Sequence, residues 1–107
     1  MAINVRTEFV NTATIRTIVY VYNDNEVLTA PTNVNVSIWN PSGTAVVDEE
    51  DVVATGLVEV GKYEHYYHKN ASADAMAAGQ WRGEVLIIDG AGADAVITPC
   101  PFSFKVK

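Results

Sequence analysis

A single cysteine, Cys100, stands among the 107 residues of this chain, so no intrachain disulfide can staple it. Its neighbours Pro99 and Pro101 suit a small apolar residue better than a nucleophile. Cations are scarce as well. Lys and Arg number seven against thirteen Asp and Glu, the formal net charge is −6, and no two basic residues are adjacent. Nucleic acid and anionic lipid are both gripped by clustered Lys and Arg, so neither is an expected partner. No apolar run approaches the roughly 20 residues that cross a bilayer as a helix, which excludes that kind of membrane insertion. The opening Met1-Ala2-Ile3-Asn4 lacks the basic, apolar and small-residue succession of a secretory leader, and synthesis in the cytoplasm is the resulting expectation. Helix-favouring sequence is confined to residues 70–78, too short for more than about two turns. Strand and helix patterns do not alternate, which removes the doubly wound folds and their nucleotide sites.

What is present is strand. Hydrophobic residues make up 49% of the chain and charged residues 19%, as in a folded domain and unlike a disordered one. Gly79–Ile88 is the stretch around which the rest is organised: Trp81, Val85 and Ile87 share one parity, Arg82, Glu84 and Leu86 the other. Successive side chains on a strand face opposite sides, so this reads as a half-buried strand. Trp81 near its start can cap a core while its N–H finds a partner. Asp89-Gly90-Ala91-Gly92 then turns the chain.

The remaining strands follow in order. Residues 4–10 suit a first, edge strand carrying Arg6 and Glu8. Residues 14–22 are β-branched and aromatic, with Ile15, Val19 and Val21 inward and Arg16, Tyr20 and Tyr22 outward. Val34 to Trp39 alternate most cleanly, with Val34, Val36 and Ile38 inward and Trp39 outward. Asn40-Pro41-Ser42-Gly43 is a β-turn with Pro at its second position. A short strand over 44–47 precedes the acidic run 48–51, read as a solvated turn, and another lies around 57–59. Residues 62–68 place Tyr63, His65 and Tyr67 inward, with Lys62, Glu64 and Tyr66 outward. Residues 101–107 close the chain, with Phe102, Phe104 and Val106 inward. About seven or eight short strands, spaced by turn signals roughly every 10 residues, predict a single all-β antiparallel sandwich domain over residues 1–107.

The order of pieces carries a resemblance. Thr32–Trp39 runs into Asn40-Pro41-Ser42-Gly43, then come Gly61-Lys62-Tyr63, Gly79-Gln80-Trp81-Arg82-Gly83-Glu84-Val85 and a closing Phe102-Ser103-Phe104-Lys105-Val106. Over roughly residues 14–106 this resembles the immunoglobulin-like sandwich modules of phage structural proteins and prokaryotic surface proteins. The resemblance implies an immunoglobulin-like strand order and a spacing, load-sharing or docking role. It carries over no catalytic residue, because the matched positions are turn formers and core aromatics. A fold of this kind hosts many functions, so the site must be argued from its own residues.

The chemistry-bearing residues do not assemble into a catalytic pattern. His65 and His68 are three apart on a strand and face opposite sides, and neither a third His nor a second Cys completes a zinc site. Asp48-Glu49-Glu50-Asp51 lacks the alternating spacing of a dedicated calcium loop. Ser37, Ser42, Ser72 and Ser103 sit outside any nucleophile-elbow pattern, and Gly90-Ala91-Gly92 comes with no Lys to cradle phosphate. The expectation is therefore a protein that is not an enzyme and uses no cofactor or metal.

The outward aromatics say more. If strand 14–22 neighbours strand 62–68, Tyr20, Tyr22 and Tyr66 share one outer face, and clustered exposed aromatics mark partner surfaces. Cross-strand pairing that merely covers the sheet accounts for them equally. Trp39, on the opposite sheet, is a further partner-surface candidate. These residues lead to three expected roles: a virion- or assembly-associated module acting through self-association or docking, a carbohydrate-binding module stacking sugars on Trp39 or the tyrosines, and a subunit lending an edge strand, residues 4–10 or 101–107, to a partner.

Overall fold

Thr14–Tyr22 has a side chain branched at Cβ or an aromatic ring at almost every position, which fits a pleated surface and crowds a helix. In the computed structural model this segment is an inner strand of one sheet. The structure describes residues 2–11, 14–23, 25–68 and 77–106, with residues 2–11 and His68 described by backbone alone. Among these, eight strands run in chain order: β1 (Ala2–Asn11), β2 (Thr14–Tyr22), β3 (Asn33–Trp39), β4 (Ala45–Asp51), β5 (Leu57–Glu59), β6 (Lys62–His68), β7 (Gly79–Asp89) and β8 (Val96–Val106). A 3-10 turn over Gly92–Asp94 precedes β8. The strands form two antiparallel sheets, β1-β2-β6-β5 and β4-β3-β7-β8, packed as a β-sandwich.

Register puts the apolar rows face to face. Ile15, Val19 and Val21 of β2 are fully buried against Val34, Val36 and Ile38 of β3 and Val85 and Ile87 of β7. Each such side chain contributes about 1.5–3 kcal/mol when fully buried, so these two rows dominate the favourable side of folding. Trp81 closes one end of the core. Its ring lies 5.8 Å from that of Phe104 on the neighbouring β8 and 6.1 Å from that of Tyr67 in the opposite sheet. The indole N–H donates to the Ala77 carbonyl at 2.9 Å, so the expected partner for this buried donor is present.

The Asn40–Gly43 turn forms as the sequence predicts. The Asn40 side-chain oxygen accepts from the backbone N–H of Ser42 and of Thr44, and Gly43 takes the positive φ of +85°. Two sequence-based boundaries shift. The acidic run 48–51 is no turn; it belongs to β4, whose ladder with β3 skips register between Val36 and Ile38. Glu49 sits in that irregularity at φ +46°, and its N–H is held by the Ser37 hydroxyl at 2.9 Å. A bulge of this kind lets an exposed edge strand carry four consecutive acids. The last strand starts at Val96, five residues earlier than residue 101, and pairs with β7 without a register break. The apolar residues Val96, Ile97 and Cys100 alternate weakly around Pro99, which hides the strand from a periodicity reading. Of the helix-favouring segment 70–78, residues 70–76 lie outside the described residues, and Ala77 and Ala78 lead into β7 without helical structure.

Two prolines in β8 also have a positional reason. The Val34 N–H points towards β4, where it is held by Asp51 Oδ1 at 3.4 Å. Alternation then turns the odd residues of β3 and the even residues of β7 towards each other, and the odd residues of β8 outward. Pro99 and Pro101 are odd, so their missing N–H groups fall on the free edge and cost the ladder nothing.

Close packing also specifies Gly56. A Cβ there would collide with the Glu64 carbonyl oxygen, and the Glu64 N–H donates to the Gly56 carbonyl at 2.8 Å. Gly56→Ala is expected to destabilise the fold by about 1–3 kcal/mol through this overpacking. A urea titration checks it: the midpoint should fall with little change in slope.

Candidate functional site

The pairing of β2 with β6 decides which polar side chains meet. Its register sets Arg16 opposite Tyr66, Ile18 opposite Glu64 and Tyr20 opposite Lys62. Residues directly opposite share a face, so Tyr20, Tyr22 and Tyr66 do stand on one outer face, together with Arg16, Lys62 and Glu64. Tyr20 and Tyr22, two apart on β2, hold their rings 6.5 Å apart and within 14° of parallel. Lys62 Nζ lies 5.5 Å from the Tyr20 ring centre, and the Arg16 guanidinium carbon 5.9 Å from that of Tyr66. Both distances lie within the range at which a cation is drawn to a ring face. Arg16 Nη2 also donates to Glu64 Oε2 at 2.8 Å, and the same carboxylate oxygen accepts from the Tyr66 hydroxyl at 3.4 Å.

This face is a connected layer of rings and charges rather than three separate tyrosines. Tyr66 is 39% exposed and Tyr20 and Tyr22 are half-buried. Beneath them lies Ile18, only 1% exposed although it has outward parity. It is flanked along β2 by Arg16 and Tyr20 and faces Glu64 across the ladder, so the polar layer roofs over an apolar residue. Sequence alternation alone marks Ile18 as exposed. The signal that identifies its burial is the row of long side chains on either side of it, whose stems cover apolar surface while their heads stay in water.

Trp39 occupies the outer face of the other sheet, half-buried, opposite Arg82 in register. The Arg82 guanidinium carbon sits 4.7 Å from its ring centre and covers one side of the indole. Trp39 is thus far from the tyrosine layer, and the two aromatic candidates do not form one surface.

His65 is buried on the inner side of β6, and its Nε2 lies 3.0 Å from Glu50 Oε2 on β4. This contact joins the two sheets across the side where β5 is only three residues long. Sequence reasoning assigned Glu50 to a solvated turn and so missed it. Glu50→Ala is expected to cost about 1–3 kcal/mol, because a buried ring nitrogen loses its partner. Thermal unfolding followed by circular dichroism measures the loss, and Glu49→Ala, with its acid directed to solvent, serves as the comparison.

Cys100 packs half-buried against the core. Burial pushes its thiol pKa up, and the Glu84 carboxylate adds to the rise. The thiolate is the reactive form, so both causes suppress nucleophilicity at neutral pH. Alkylation of native protein by iodoacetamide at pH 8 is expected to be slower than that of the urea-unfolded chain, as followed by mass spectrometry. A native rate equal to or above the unfolded rate would contradict this.

Compared with known proteins, the chain matches no family model and no curated protein. Among the described residues, no helix is long and apolar enough to cross a membrane.

Proposed function

We propose that this chain is a non-enzymatic structural or interaction module that acts by self-association or docking through the tyrosine face of the β1-β2-β6-β5 sheet. The observation that carries this reading is the layer of Tyr20, Tyr22 and Tyr66 interleaved with Arg16 and Lys62. Tyrosine and arginine are enriched where protein surfaces meet, because each brings a large contact area with a polar end. The internal ion pairing matters too. With Arg16 already satisfied by Glu64, the face can be covered without leaving that cation buried and unpartnered.

The strand order β1-β2-β6-β5 against β4-β3-β7-β8 agrees with the order of an immunoglobulin-like sandwich, in which the first, second, fifth and fourth strands of the basic set share a sheet. That agreement supports an immunoglobulin-like module, with β4 as the added strand. Association with a virion or another large assembly rests on the resemblance of the turn and aromatic pieces to phage structural modules. A second reading, carbohydrate binding, is favoured by the nearly parallel rings of Tyr20 and Tyr22, which offer stacking surfaces beside the hydrogen-bonding groups of Lys62 and Glu64.

Light scattering over a hundredfold concentration range tests the first reading. The wild-type protein is expected to show a mass above that of the 11.6 kDa chain at high concentration. Tyr20→Ser with Tyr66→Ser should shift the association midpoint upward by at least about tenfold, the loss of one contact worth roughly 1.4 kcal/mol. Glycan-dependent changes in tyrosine fluorescence from a strict monomer would favour the carbohydrate reading instead.

A further inference from the structure

The four edges of this sandwich are not treated alike. β4 carries Asp48, Glu49, Glu50 and Asp51 and a register irregularity, and β8 has Pro99 and Pro101 on its free edge. β5 is three residues long. Short length, charge, bulges and proline are the devices that keep edge strands from pairing with another chain. β1 shows a different composition. It runs ten residues, Ala2–Asn11, without proline, and its ladder with β2 is regular until the shift between Phe9 and Asn11.

Alternation assigns the backbone groups of β1. The Val21 N–H donates to the Gly61 carbonyl at 2.8 Å, so odd residues of β2 turn towards β6 and even residues towards β1. Even residues pair with even ones in the β1–β2 register, Asn4 with Tyr20, Arg6 with Ile18 and Glu8 with Arg16. The N–H and C=O groups of Ile3, Val5, Thr7 and Phe9 therefore point to the outer edge, where the sheet order places no further strand among the described residues.

We infer that β1 pairs antiparallel with β1 of a second copy about a two-fold axis at Thr7, joining two four-stranded sheets into one. The inference goes beyond the tyrosine-face reading, because it joins two copies by a strand edge and leaves that face uncovered. With Thr7 opposite Thr7, the odd residues Val5 and Phe9 of the two copies face each other as hydrogen-bonded pairs. Arg6 of each copy then falls opposite Glu8 of the other, at the narrower, non-hydrogen-bonded positions where side chains are closest. The sequence of β1 is thus self-complementary in charge about the same residue that alternation makes an outward hydrogen-bonding position. A shift of two residues in register loses both opposite-charge pairs, and a shift of one turns hydrogen-bonding groups away from each other. An isologous pair of this kind closes on itself, and the tyrosine faces of the two copies become one continuous face.

The test is sedimentation or light scattering on four proteins, each checked for native far-UV circular dichroism. Wild type is expected to dimerise. Arg6→Glu should weaken the dimer by about tenfold or more by setting like charges opposite each other twice. Adding Glu8→Arg to it should restore dimerisation, which a merely structural effect would not. Thr7→Pro removes an outward N–H at the axis, leaves the ladder to β2 intact, and should abolish the dimer. Oligomers that persist unchanged in Arg6→Glu and Thr7→Pro overturn the inference. If those oligomers are dissolved by Tyr20→Ser with Tyr66→Ser, the tyrosine-face reading stands without it. A wild-type monomer at every concentration overturns the inference and, with it, self-association through the tyrosine face.

Discussion

The contact of Trp81 with Tyr67 and Phe104 is what the rest of this structure depends on. Trp81 belongs to β7 in one sheet and Tyr67 to β6 in the other, so their ring contact spans the sandwich. Phe104 on β8 extends the same aromatic layer, and Phe102 continues it outward, 6.3 Å from Phe104. A buried indole brings a large apolar area and one obligatory N–H, and both are provided for here, by the facing rings and by the Ala77 carbonyl. Once that end is set, the β-branched rows of β2, β3 and β7 meet along the remaining length.

Two inner rows facing each other leave two outer faces free to differ, and they do. On one sheet the outer positions of β2 and β6 knit tyrosines with Arg16, Lys62 and Glu64 into a half-exposed layer over the buried Ile18. On the other, Trp39 is covered by Arg82 at one end and the acids of β4 line the edge. This segregation puts most aromatic contact area on one face and much of the negative charge on the opposite edge. A fold of this type owes its core to one set of residues and its outer faces to another, and the two sets alternate along the same strands.

Much of this was legible in the chain because alternation is a local signal. Val34, Val36 and Ile38 inward with Trp39 outward, or Tyr63, His65 and Tyr67 inward with Tyr66 outward, follow from the pleat alone. The Asn40–Gly43 turn was equally readable, since Asn side chains and Gly do specific work in turns. The misreadings have a common cause. Acidity made residues 48–51 look like a loop, and prolines made residues 96–100 look like a break. At a sheet edge both are compatible with a strand, and edge position is not encoded locally.

The sequence by itself determined an all-β chain and the parity of nearly every strand. Those properties depend on neighbours one or two residues apart. Only the tertiary structure decided which strands lie side by side, and therefore that Tyr20 meets Lys62, that Arg16 meets Glu64 and Tyr66, and that His65 reaches Glu50 across the sheets. It also decided that Ile18 is roofed over and that Pro99 and Pro101 turn towards a free edge. Pairing joins residues far apart in the chain, Asn33 with Ile88 among them, and it is selected by the fit of two whole faces rather than by any short stretch.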